Sequence, residues 1–122
     1  MSINLTTPLH SLRAYLSGAV TLNEPNYFVS YLAKRANDNE EEEFSVVGFF
    51  SSATPIVLVS PPDGSTLLRK SISEILIHNE DSVSCTVNLA VVIASVEYHF
   101  VTKAVGAEQT LHYSPTSGFQ LF

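Results

Sequence analysis

The sequence predicts an all-β protein, an antiparallel β-sandwich of jelly-roll type, in which residues 1–122 form a single domain with a flexible N-terminal arm at 1–10. Three observations carry that prediction. Apolar residues alternate with period two along most of the chain, the spacing that puts every second side chain on one face of a strand. Clusters of Gly, Pro, Asn and Ser cut these runs into short segments. With 122 residues, 45% hydrophobic and 15% charged, the chain is long enough for one packed core and too apolar for disorder.

The clearest strand covers 83–92, where Val83, Cys85, Val87, Leu89 and Val91 alternate with Ser84, Thr86, Asn88 and Ala90. Residues 68–78 form a second strand whose phase slips, because Ile72 precedes Ile75 by three positions while Ile75 and Ile77 are in step. A β-bulge near Ser73-Glu74 returns all three to one face. The polar stretch Asn79-Glu80-Asp81-Ser82 between these strands reads as the turn of an antiparallel hairpin. Further strands are expected at 12–16, 26–33, 54–59, 96–105 and 110–113. A final aromatic stub at 119–122 follows the Ser114-Pro115-Thr116-Ser117-Gly118 turn. In 96–105, Tyr98 and Phe100 share one phase, opposite Glu97, His99 and Lys103.

The segment 34–50 is the least patterned. Residues 34–43 are expected as an acidic surface loop, since Glu40, Glu41, Glu42 and Glu43 are four consecutive like charges. The short apolar run 44–50 fits a strand or a helical turn equally well.

Charge and motif content narrow the function. Six Lys and Arg against twelve Asp and Glu give a net charge of −6, and the glutamates at 40–43 carry four of those negatives. No basic stripe exists for phosphate contacts, so nucleic acid is not an expected partner. No apolar run reaches the ~18 residues of a membrane span, and the N-terminus lacks a secretion-signal pattern, so no membrane partner is expected. The five glycines are scattered, with neither GxGxxG nor a Walker loop, and no GxSxG elbow occurs. Cys85 is the only cysteine, which excludes an intramolecular disulfide and a thiolate metal cluster, and its phase points it at a core. His10, His78, His99 and His112 have no metal-ligand spacing; the last three are read as solvent-facing or interface residues. The acidic run lacks the alternating ligands and glycine of a calcium loop. No catalytic residue, cofactor or metal is therefore expected, and the reading is that of a non-enzyme.

Twelve aromatics without tryptophan, with few lysines, exceed what one small sandwich can bury. Tyr and Phe left near the surface match the composition of protein interfaces, and an obligate assembly is expected.

The C-terminal half resembles small virion structural proteins of tailed bacteriophages. The likeness is carried by Pro61-Pro62, by Ile72-Ser73-Glu74-Ile75-Leu76-Ile77-His78-Asn79, by Glu80-Asp81, by Cys85-Thr86-Val87-Asn88-Leu89, by Thr110-Leu111-His112-Tyr113 and by Gly118-Phe119. It spans roughly residues 56–122. The opening Leu5-Thr6-Thr7-Pro8, with Leu12-Arg13 and Ser17-Gly18-Ala19, fits more weakly. Two departures stand out: the glycine turn before the last hairpin is displaced at Gly106-Ala107-Glu108-Gln109-Thr110-Leu111, and 34–50 has no counterpart. The resemblance implies a capsid decoration (cement) protein located in the virion and assembled in the host cytoplasm. Its implied partners are further copies of itself, as a homo-trimer, and the major capsid protein or other virion proteins. A tail, neck or fibre component is the alternative, and a lectin-like glycan-binding module a third, weakened by the missing tryptophan. The expected contact residues are Leu5 and Pro8 in the arm, Glu40, Glu41, Glu42 and Glu43 in the loop, and Phe119, Leu121 and Phe122 at the chain end.

Overall fold

A computed structural model describes the chain except residues 1, 19–22, 37–39, 52 and 66. All its elements are strands: β1 (Asn4–Leu5), β2 (His10–Leu16), β3 (Asn26–Arg35), β4 (Glu41–Phe49), β5 (Ile56–Val59), β6 (Leu67–His78), β7 (Cys85–Ile93), β8 (Val96–Val105), β9 (Thr110–Ser114) and β10 (Gly118–Leu121). They form two antiparallel sheets, as the alternation predicts. One runs β10-β9-β6-β3-β4, with β1 also paired to β6; the other runs β5-β2-β7-β8.

Register explains why the core closes. Val46, Val29, Ile75, Tyr113 and Phe119 form one row across the larger sheet, and Gly48, Tyr27, Ile77, Leu111 and Leu121 form the next inward-facing row. Leu12, Ala14, Leu16, Val87 and Leu89 of the smaller sheet meet them, all buried. Burying such aliphatic side chains stabilises by ~1.5–3 kcal/mol each before ordering costs. Gly48 is glycine because the Tyr27 ring lies over it, where a Cβ would strike the phenol. Gly118 opens β10 with φ +69°, a conformation that turns β9 back on itself without a Cβ penalty.

The bulge in β6 is where the phase slip places it. Ser30 faces Glu74 and Tyr31 faces Ile72, so Ser73 is the extra residue, and Ile72, Ile75 and Ile77 are all buried. β4 is a strand, which resolves the ambiguity of 44–50.

Three expectations are corrected. β6 and β7 do not form a hairpin: they belong to different sheets, and Asn79–Ser84 is the arch between them. Asn79 is buried there, and its amide donates to the carbonyls of Val83 (2.8 Å), Val105 (3.0 Å) and Gly106 (3.2 Å) while its oxygen accepts from the Asp81 N–H (3.0 Å). That side chain satisfies carbonyls a crossing backbone would leave unpaired. The N-terminal arm is not free either. Ile3 and Leu5 lie in the core, β1 pairs with Ser71 and Lys70, and β2 already starts at His10. Finally, the acidic loop shrinks: β3 runs to Arg35 and β4 begins at Glu41, while 37–39 lie outside the described residues.

Candidate interaction surface

The two sheets present different outer faces. On the smaller sheet the outward side chains bond to one another. Asn88 donates to the Ser17 hydroxyl (2.8 Å) and accepts from Thr102 (2.9 Å), and Tyr15 bonds His99 (2.7 Å), which also lies 3.1 Å from Glu97. The centre of this face is polar and internally bonded, while Val57, opposite Arg13 at its β5 side, is exposed.

The larger sheet is different. Its register lines up Val47, Phe28, Leu76 and His112 in one outward row and Phe49, Asn26, His78 and Thr110 in the next. Val47 is 70% exposed and Phe49 61%, and with Phe28 and Leu76 they form a shallow apolar depression rimmed by Asn26, His78 and Thr110. A strand places these side chains outward because the inward positions are taken by Val29, Val46 and Ile75; alternation leaves no third option. His78 bonds Thr110 (2.8 Å) and lies 3.6 Å from Glu108, while His112 lies 3.2 Å from Glu74. His99 is on the other sheet, so the three histidines do not converge, and no group of His, Cys, Asp or Glu among the described residues is arranged to hold a metal ion.

The glutamates flank this surface. Glu42 takes a bidentate contact from Arg35 (2.9 Å to each oxygen), and Glu41 meets Arg69 at 3.0 Å. Cross-strand ion pairs at exposed positions are worth ~0–1 kcal/mol each, and these two offset part of the repulsion among Glu41, Glu42 and Glu43.

The expected contact residues are dispersed. Leu5 is 0% exposed and is a core residue, not a contact; Pro8 is exposed beside Gly64. Phe119 packs against Tyr113 with tilted rings (4.8 Å between centroids), and Leu121 packs on the core, so both serve the fold first. Phe122 is 69% exposed, yet its backbone is paired: its N–H donates to the Thr110 carbonyl and its C=O accepts from the Thr110 N–H, both at 2.9 Å. Its ring sits edge-on to His112, at the far side of the same outward face as Phe49. Of the expected set, Phe122 and Glu41 to Glu43 border the apolar depression's sheet, whereas Val47, Phe49, Phe28 and Leu76 were not expected as contacts. The signal for the last two was present, since Phe28 is out of phase with Val29, and Leu76 with Ile75 and Ile77, the buried apolar residues beside them.

A buried lysine and a half-buried cysteine complete the chemistry. The Lys70 ammonium donates to the Ser60 carbonyl (3.0 Å) and hydroxyl (3.1 Å) above the Tyr31 ring, and burial lowers its pKa while Asp63 opposes the shift. Burial, reinforced by Asp81, raises the Cys85 thiol pKa, which makes a nucleophilic role unfavourable there. Comparison of the chain with known protein families, characterised proteins and solved structures returns no match.

Proposed function

We propose that this chain is a non-enzymatic assembly protein, and in its most specific form a decoration protein that docks on a bacteriophage head as a homo-oligomer. The observation that supports this reading best is the apolar patch of Val47, Phe49, Phe28 and Leu76 on the outward face of the larger sheet. Contiguous apolar surface of this kind, rimmed by polar side chains, marks protein contact sites. The phage setting rests on the C-terminal sequence pattern alone. Docking of this type is mechanical: each copy removes a modest apolar area from water, and repetition on a symmetric shell multiplies the effect. Cryo-electron microscopy of particles produced with this gene tests the proposal. Ordered copies on the head surface are expected; copies confined to the tail or neck favour the structural alternative, and particles that lack the chain overturn a virion role.

A further inference from the structure

We infer that β4 pairs antiparallel with β4 of a second copy, about a two-fold axis at Val47, so that the two larger sheets become one. The inference rests on the assembly reading above and names its partner and contact.

The backbone supplies the first argument. Phe50 N–H donates to the Pro25 carbonyl at 2.9 Å, which fixes the phase of the ladder that continues the β3–β4 register. Hydrogen-bonded and non-hydrogen-bonded pairs alternate in an antiparallel ladder. Phe44, Val46 and Gly48 therefore spend their N–H and C=O groups on β3, and Ser45, Val47 and Phe49 aim theirs at the open edge. An edge of this kind is a template for another strand.

The second argument is that, among the described residues, nothing blunts its 45–49 half, the only charges on the strand being Glu41, Glu42 and Glu43 at its start. β4 has no bulge against β3 and no proline, whereas β8, the other long edge, is bulged at Phe100 and carries Glu97, His99 and Lys103. β5 and β10 are edges of only four residues each.

Charge then chooses the partner and the register. A parallel in-register stack would set Glu41, Glu42 and Glu43 against their own copies. Antiparallel pairing separates the two runs to opposite ends. With the axis at Val46, Glu43 would face Phe49; with the axis at Val47, Val47 meets Val47, Ser45 meets Phe49, and no glutamate enters the paired stretch. The same register joins two copies of the Val47–Phe49 patch across the seam. A second copy of this chain meets both conditions with its own sequence, and the unit it makes is a dimer, not the trimer implied by the resemblance.

Light scattering after size exclusion on the full chain, over a concentration series, should return twice 13.3 kDa for wild type. V47K, which sets two ammonium groups face to face on the axis, and V47P, which removes an N–H that β3 does not use, should both return the single-chain mass with unchanged circular dichroism. As a measurement independent of those variants, V47C in a C85S background should be joined rapidly by a short bis-maleimide. Residues opposed in a hydrogen-bonded pair have Cβ atoms about 5.5 Å apart, beyond the ~3.5–4.5 Å of a direct disulfide and within reach of such a linker. E97C on β8 should not cross-link. A dimer that survives V47K and V47P, with V47C no faster than E97C, overturns the edge pairing and leaves the assembly reading in place. Wild type of single-chain mass that still binds particles does the same, and wild type that neither dimerises nor binds overturns both.

Discussion

β4 and β8 are the two long edges of this sandwich, nearly equal in length and opposite in construction. β8 (Val96–Val105) is broken in register at Phe100 and carries charge along its length. β4 (Glu41–Phe49) is regular against β3, has its charge gathered at one end, and leaves Val47 and Phe49 outward at the other. A bulge twists an edge away from any neighbour and an isolated charge resists burial, so β8 is closed to further pairing. Charge segregated at one end does something else: it leaves the strand open to a partner and restricts how that partner can lie. The same residue types thus either forbid pairing or direct it, depending on their spacing.

The largest effect that would sharpen this contrast is a proline pair in β4. V46P removes an N–H bonded to β3, and a ladder proline is expected to cost ~3 kcal/mol or more, roughly 10 °C in a domain of this size. V47P removes an outward N–H and should move the melt by only a few degrees. Thermal melts of both, followed by circular dichroism, check the assigned ladder phase; equal losses would refute it.

N79A comes next. Its amide holds Val105, the last residue of β8, to the arch between the sheets. Leaving several buried carbonyls short of a donor is expected to cost ~2–3 kcal/mol. Hydrogen exchange should rise at 103–105 in β8 and stay unchanged in β4. Uniform acceleration over both edges would mean that Asn79 supports the whole fold and not the β8 end.

How much of this was legible in the sequence differs from residue to residue. The bulge at Ser73 could be read because the three-residue step from Ile72 to Ile75 has a single geometric remedy. The arch at Asn79 could not: a short polar stretch between two strands looks the same whether the second strand returns beside the first or crosses to the other sheet. Periodicity reports which side chains share a face and is silent on which strands are neighbours. The strand character of Glu41 to Glu43 was hidden for a related reason. Its support comes from Arg35 and Arg69, the latter on a strand that only the fold brings near. In β8, the bulge makes Phe100 the extra residue, so the adjacent Phe100 and Val101 both pack against the core, which alternation alone does not show, while Tyr98 stays exposed. Ile3 and Leu5 alternate over too few positions to announce a strand. The apolar contact surface was half legible: Phe28 and Leu76 are out of step with the core, but only register shows them beside Val47 and Phe49.

A smaller effect tests the directing role of the glutamates. Replacing Glu40, Glu41, Glu42 and Glu43 with serine deletes exposed ion pairs worth ~0–1 kcal/mol each, so the melt should fall by a few degrees at most. Self-association should then lose its restriction. Light scattering should show species beyond the dimer growing with time, and thioflavin fluorescence should rise as parallel stacking becomes permitted. An unchanged dimer without larger species would mean that the glutamates only solubilise the strand.

The smallest expected effect uses Cys85 as a reporter of the β8 end, where it faces Val105 across the ladder. Desolvation is the main cause that raises its pKa above the ordinary thiol value, and Asp81 adds to it. The protonated thiol is thus favoured in the fold relative to the unfolded chain. The sign follows: as pH rises through the ordinary thiol pKa of 9.0, the unfolded chain loses its proton first, and the native state loses part of its margin. The group is only partly buried, so the loss should be slight, and melts between neutral and alkaline pH should show a shallow decline that C85S lacks. Alkylation tracks the thiolate. Native Cys85 should therefore react more slowly than the same residue in denaturant at mildly alkaline pH. N79A should erase much of that protection, because it frees the β8 end, whereas V47K should leave it intact. Protection lost in V47K would show that the two edges are coupled through the core, and the contrast between an open β4 and a closed β8 would have to be redrawn as a single cooperative unit.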